Sequence, residues 1–462
     1  MNETRNEDLA ARGMMARLWR ALDGAPEMLD RVEMVGEGSL PSIFPVSGFA
    51  AAAVATAGLA LAEWTASHGD TVPEIRVDRR LASLWFGFSI APQDWPLPSV
   101  WDAIAGDYRT CDGWIRLHTN AAHHRAAALS VLGTAAERDV VAAAVAGWGA
   151  DALEAAIVAA GGCAATMRGP DAWREHPQGR AVIAEPLMHL ELTSKAALPH
   201  RRAEPKRPLA GVKVLDLTRV LAGPVATRFL AGFGADVLRI DPPGWDEGAV
   251  VPEVTLGKRC ARLDIKSHAG RERFRALLAE ADVLVHGYRP DALEALGLGA
   301  EVRAGIRPGL IDVSHSAYGW SGPWANRRGF DSLVQMSSGI AEAGMVNAGI
   351  DRPVPLPVQA LDQGTGYLLA AAVLRGLSLR AAQGTGSRWR TSLARVGGFL
   401  ASHRQTMTAP QIGRPERSDY SDMIEQTEWG AALRLLPPLA LGDADMHWDR
   451  PAGKLGASPA VW

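Results

Sequence analysis

Between residues 212 and 314 the chain alternates short apolar runs with helix-length segments, and no other feature restricts its fold as tightly. Val212–Leu217 reads as a strand, Gly223-Pro224 opens a helix that Gly234 closes after Phe233, and Asp236–Ile240 reads as the next strand. A short strand from Arg259 to Ile265, a helix from Gly270 to Ala281, a strand at Asp282–Val285, a helical turn from Pro290 to Leu296 and a strand at Gly309–Ser314 continue the pattern. Strands separated by helices must return the chain to the same end of the sheet, so they pair in parallel, with right-handed crossovers covering the faces. The expected fold class is α/β, with a parallel sheet as the core of a large domain over residues 206–405.

The rest of the chain has a different rhythm. Residues 1–100 are helix-rich, and Gly48–Trp64, dominated by Ala and Leu, reads as a buried helix. Residues 101–200 read as a small α+β domain. Asp112-Gly113 is a hairpin turn, Trp114–His118 alternates as a strand, and Arg138–Ala160 has helical Ala/Val spacing. The charged, proline-bearing His200–Pro208 segment marks the domain boundary, and 406–462 is left as a C-terminal extension.

Composition excludes several functions. The 462 residues carry 48 Lys and Arg against 51 Asp and Glu, interspersed, for a net charge of −3. No basic face for nucleic acid or polybasic membrane segment stands out. Cys111, Cys163 and Cys260 are odd in number and lack CxxC spacing, which argues against a disulfide scaffold or structural zinc and fits a reducing cytoplasm. The start of the chain leads into no apolar signal region, and the alanine-rich run Phe49–Ala62 falls short of the roughly 20 residues needed to span a bilayer.

One internal echo crosses the two halves. A shift of 315 positions pairs Ala370 with Ala55, Leu374 with Leu59, Ala381 with Ala66, Gly384 with Gly69 and Arg395 with Arg80. Both stretches run from a proline-rich approach through an Ala/Leu helix and a glycine-bearing turn into a strand. Two alanine-rich helices also resemble one another through composition alone.

Several motifs have ordinary readings. Thr218–Pro224 offers backbone N–H groups and a helix N-terminus to a phosphate, but GxGxxG is missing and Gly232 and Gly234 fall where glycine caps a helix, so NAD or FAD is not expected. In Gly319-Trp-Ser-Gly-Pro323, proline stands where a nucleophile elbow needs glycine, so Ser321 reads as a loop serine. His118, His123 and His124 lack partners at ligand spacing and read as surface or half-buried histidines; no metal is expected. Asp362 precedes an apolar helix read as Tyr367–Leu379. It reads either as that helix's N-cap or as a nucleophile, with Gly364 and Gly366 admitting a ligand and donating to an oxyanion.

Taken together, Pro208–Pro224, Gly234–Ile240, Gly257-Lys-Arg259, Leu263-Asp-Ile-Lys266, Ala281–Val285, Gly319–Pro323, Gly329-Phe-Asp331 and Ala360-Leu-Asp362 resemble the family III coenzyme A transferases, the CaiB/BaiF family. The resemblance implies a Rossmann-like large domain with a smaller domain, and two chains interlocked as rings. It makes Asp362 the catalytic carboxylate, with Gly364 and Gly366 shaping its pocket. Arg219, Val220, Leu221 and Ala222 match the turn that receives CoA, and Leu263, Lys266 and Tyr288 match its nucleotide groove. CoA enters as a substrate, with no tightly bound cofactor. The implied partners are an acyl-CoA, a small carboxylic acid and a second copy in a homodimer.

The sequence departs from the family pattern at three places. Ala295 stands where many members carry arginine, Phe330 replaces the histidine of the racemase members, and Ser47 aligns with Asp362 in the echo. Residues 1–200 thus resemble the later half of a member placed ahead of the first half of another, or a permuted arrangement of one, with chemistry expected at Asp362 alone. The leading expectation is CoA transfer through an aspartyl anhydride and an aspartyl-CoA thioester. The alternatives are an acyl-CoA racemase or isomerase on the same scaffold, and a non-catalytic CoA-binding protein.

Overall fold

The computed structural model describes residues 2–69, 71–196, 204–405 and 410–462, with side chains from residue 8 onward. The large sheet contains six parallel strands: β1 (Lys213–Leu217), β2 (Asp236–Asp241), β3 (Lys258–Arg262), β4 (Val283–His286), β5 (Ile311–Ser316) and β6 (Thr385–Ser392). They lie side by side in the order 3-2-1-4-5-6. A parallel sheet buries both faces, and the strands show it: Val214 enters one apolar core while Leu215 and Leu217 enter the other. Order reverses between β1 and β4, so their carboxyl ends open the crevice where doubly wound sheets place ligands.

Three helices position the site. Helix α1 (Ala222–Gly232) leaves β1 and ends before Gly234, whose φ of +103° turns the chain into β2. Helix α2 spans Asp331–Ser337. Helix α3 (Ala360–Gln383) is buried along nearly its whole length, and Gly384 closes it with φ +66° and an N–H bond back to the Arg380 carbonyl. It starts seven residues ahead of the expected Tyr367, and its N-cap is Gln359. Asp362 therefore belongs to the first turn and is not the cap.

Parts outside the parallel alternation join the same body. His189–Lys195, within the segment expected as a small domain, pairs antiparallel with β6 and forms one edge of the large sheet. The expected boundary at His200–Pro208 lies partly outside the described residues. A smaller sheet of Gly106–Arg109, Trp114–Leu117 and Ala164–Thr166 packs beneath the Ala122–Leu132, Arg138–Ala146 and Ala150–Ala159 helices. Of residues 410–462, Leu439–Leu441 pairs with Ile75–Asp78 of the N-terminal segment, while Trp448 and Trp462 donate to the Arg228 and Leu277 carbonyls of the large domain.

The echo has a structural counterpart. The Val46–Ala66 helix, the Ile75–Asp78 strand and the Arg79–Trp85 helix repeat the order of α3, β6 and the Leu393–Ala401 helix. Asp78 and Ser392 cap the two short helices alike, accepting from Leu81 N and Arg395 N. Val46–Ala66 is long and apolar enough to cross a membrane by composition, but 94% of its most apolar stretch is buried, largely against α3 and neighbouring helices.

Candidate active site at the crevice between β1 and β4

Asp216, at the end of β1, organises the first turn. Its carboxylate accepts from Thr218 N at 2.8 Å, Thr218 Oγ1 at 2.5 Å, Thr227 Oγ1 at 2.5 Å and Lys258 Nζ at 3.0 Å. Burial opposes ionisation, but Lys258 and Arg239 outweigh it and hold the carboxyl below the usual range. One buried anion thus ties strand, turn and α1 together. Val220, in that turn, has φ +63°, a sparsely populated region for a β-branched residue.

The residues expected to meet CoA fall into two groups. Arg219 lies between the rings of Trp245 and Tyr288, 5.2 Å from each centroid, and donates to Tyr288 Oη at 3.1 Å. Val220 N donates to Glu247 Oε1 at 2.7 Å, and Glu247 also meets Trp245 Nε1 at 2.9 Å and Arg239 Nη2 at 2.8 Å. A protein carboxylate therefore sits on the turn where a phosphate was expected. Sequence reasoning missed Glu247, and its only signal is an acid in the loop after β2. Leu263 and Tyr288 pack on one apolar cluster, whereas Lys266 is exposed on the loop beyond β3.

The decisive contact joins positions far apart in sequence. The Ala222 N–H, at the start of α1, lies near enough to the Asp362 carboxylate to favour its ionised form, so Asp362 faces the turn formed by residues 219–221. Asp362 is only 8% exposed. Burial, and then the like charge of Asp331, push its carboxyl well above the ordinary aspartate range, against the pull of that N–H. Asp331 is itself pushed up to about 6 by burial, opposed by N–H groups at the start of α3 and by Gln335.

Gly364 and Gly366 turn their Cβ sides to protein and not to open space. A Cβ on Gly364 would lie 2.2 Å from the Phe49 ring, and one on Gly366 would lie 2.6 Å from the Ala222 carbonyl oxygen. Both glycines let protein approach α3: Phe49 of the echo helix on one side and α1 on the other. On the Cβ side of both glycines the space is filled by helix packing. Gly366→Ala is expected to force α3 off α1 and cost about 1–3 kcal/mol, measured as a lowered urea midpoint. An unchanged midpoint would show that α1 yields freely.

Other candidates resolve plainly. Ser47 Oγ accepts from Leu40 N at 2.9 Å, a structural bond, and Ser321 Oγ donates to Glu185 at 2.6 Å, as a loop serine does. His118 and His124 are buried, contrary to expectation, because Phe330 covers them: its ring stacks 3.7 Å from His118 and meets His124 edge-on. Burial drives them down to about 3 and about 4. Among the described residues, no group of three or more His, Cys, Asp or Glu is placed to hold a metal.

Residues 209–425 match the family model described as CoA-transferase family III. Acetyl-coenzyme A transferase nodX of Hypoxylon pulicicidum is 36% identical over 201 residues, which is 42% of this chain and 34% of that protein. The human succinyl-CoA:glutarate CoA-transferase is 36% identical over 194 residues, covering 39% of this chain and 44% of its own length. A crystal structure of a CaiB/BaiF family protein from Brucella suis is 27% identical, with 49% of this chain and 65% of that chain covered and a TM-score of 0.37. The chain spans half the length or less of these two curated relatives. Through residues 209–425, just under half of its length, the chain is similar to CoA-transferase family III.

Proposed function

We propose that the chain moves CoA between an acyl-CoA and a small carboxylic acid, with Asp362 as the covalent carrier. The observation that carries this reading is the placement of a buried Asp362 carboxylate beside the Ala222 N–H, which sets the reactive oxygen near the turn expected to receive CoA. Relatives named for succinyl-CoA and glutarate, and for acetyl-CoA and oxalate, support dicarboxylic acids as the acceptor class.

Each step exchanges one acyl bond. The Asp362 carboxylate attacks the thioester carbonyl, the C–S bond breaks, and CoA leaves as a thiolate with the electron pair, giving a mixed anhydride. The thiolate then attacks the Asp362 carbonyl and expels the donor acid as a carboxylate, leaving an aspartyl-CoA thioester. The acceptor carboxylate displaces the thiolate from Asp362, and the thiolate takes the acceptor acyl group and restores the aspartate. A buried site suits this route because water would hydrolyse the anhydride. Since the attacking group is the anion and its pKa is raised, the rate should climb with pH. Phe330 has no proton to exchange, which counts against the racemase alternative. Three free cysteines accord with a cytoplasmic setting.

Incubation with succinyl-CoA followed by acid quench and mass spectrometry is expected to give a CoA adduct on the peptide bearing Asp362. Turnover with the adduct on a different carboxylate, or with none, would refute the assignment.

A further inference from the structure

We infer that Asp331 is the positioning residue for Asp362: its carboxylate caps the start of α3 and fixes the Asp362 side chain against the first turn of α1. This rests on the reading of Asp362 as the reactive group.

The need arises from the helix itself. The first N–H groups of α3 have no partner within the helix, and the side chain of its N-cap Gln359 supplies none. Asp331, on the neighbouring α2, fills the gap. One of its oxygens, Oδ2, accepts from Asp362 N at 2.9 Å, and the neighbouring Leu361 N–H also favours the ionised carboxylate. The other oxygen, Oδ1, accepts from Gln335 Nε2, and Gln335 Oε1 accepts from Leu356 N at 2.7 Å. Asp331 and Gln335, one turn apart on α2, therefore hold both the proline-rich approach to α3 and its first turn. Their exposures are 1% and 0%.

A neutral acceptor would satisfy the same N–H groups, so the buried charge has a further effect. Placed beside Asp362, it keeps that carboxylate basic, and a more basic oxygen is a stronger nucleophile. Arg116, on the Trp114–Leu117 strand, acts on Asp331 in the opposite sense. His118 and His124 meet Phe330, the residue before Asp331, and burial keeps them neutral. Asp331 is thus the charged group that raises Asp362, and Ala222 N–H is the group that opposes it.

Asp331→Asn and Asp331→Ala in the full chain separate the two effects. Two readouts are needed: the pH profile of kcat and KM for transfer from succinyl-CoA to glutarate, and titration of Asp362 by difference infrared spectroscopy, assigned with Asp362→Asn. Asp331→Asn retains an acceptor for α3 and removes the charge. It should lower the Asp362 midpoint and the acid limb of kcat by about one pH unit or more, with KM held within about twofold. Asp331→Ala should lower kcat about tenfold across the pH range, because the N–H groups lose their acceptor. Equal Asp362 midpoints in the wild type and Asp331→Asn would overturn the inference. A shifted infrared midpoint in a protein that transfers no CoA would uphold the positioning and reject the transferase reading, whereas transfer with an unshifted midpoint would do the reverse.

Discussion

Asp362→Asn should abolish CoA transfer while making the protein more stable at pH 8. The amide retains an oxygen for the Ala222 N–H, so the contact between α3 and α1 survives, but it cannot form the anhydride. The stability gain follows from the sign of the pKa shifts. Asp331, raised to about 6, and Asp362, raised further, are both harder to ionise folded than in an unfolded chain, where aspartate titrates near 3.9. The stability linked to their protonated forms is complete below about pH 4 and is lost as pH rises through the folded values. Removing one of the two acids relieves that loss by roughly 1–3 kcal/mol at pH 8 and by almost nothing at pH 4. Urea unfolding of both proteins at the two pH values reads the difference. Equal stability at pH 8 would mean that the buried pair is not under the electrostatic load described, and residual transfer would remove Asp362 from the chemistry.

The elements around this pair differ in how far local sequence reveals them. β1, α1 and β2 are legible because each parallel strand is apolar on both faces and because Gly234 must turn the chain at a positive φ. The start of α3 is not. Gly364 and Gly366 have low helix propensity, and by themselves they argue for a loop. They are helical because Phe49 and the Ala222 carbonyl occupy the spaces that side chains would take, and neither neighbour is close in sequence. The same distance hides Asp331, whose capping partners lie about thirty residues ahead, and it hides the burial of His118, which depends on a ring more than two hundred residues away. Asp362 is legible as a nucleophile only through the family resemblance, since its local pattern also fits an N-cap. Its contact with Ala222 comes from the packing of α3 on α1, which no short motif encodes.

Lys258→Met should have the largest effect on stability, about 3–5 kcal/mol, because it strands the Asp216 carboxylate in the core. Both side chains are 0% exposed, and Lys258 Nζ reaches both Asp216 Oδ2 and the Pro224 carbonyl at 3.0 Å. Without the ammonium, Asp216 keeps its hydroxyl and backbone donors but loses the nearest charge that holds it ionised in a buried position. It must then take up a proton or draw in water, and either change loosens Thr218, Thr227 and the turn between them. Asp216→Leu alone should also be costly, since it leaves the buried lysine unpaired. Combining Asp216→Leu with Lys258→Met removes both charges, so the double variant should lose less stability than the two single changes added together. The double variant should still bind CoA poorly, because Thr218 no longer has the acceptor that sets the 219–222 turn. Urea titrations of the four proteins, with CoA binding followed by calorimetry, test both statements. Additive losses would mean that the pair acts as two independent groups. Unimpaired CoA affinity in the double variant would show that the turn keeps its shape without Asp216, and that its anchoring comes instead from the contacts of Arg219 and Val220 with Tyr288 and Glu247.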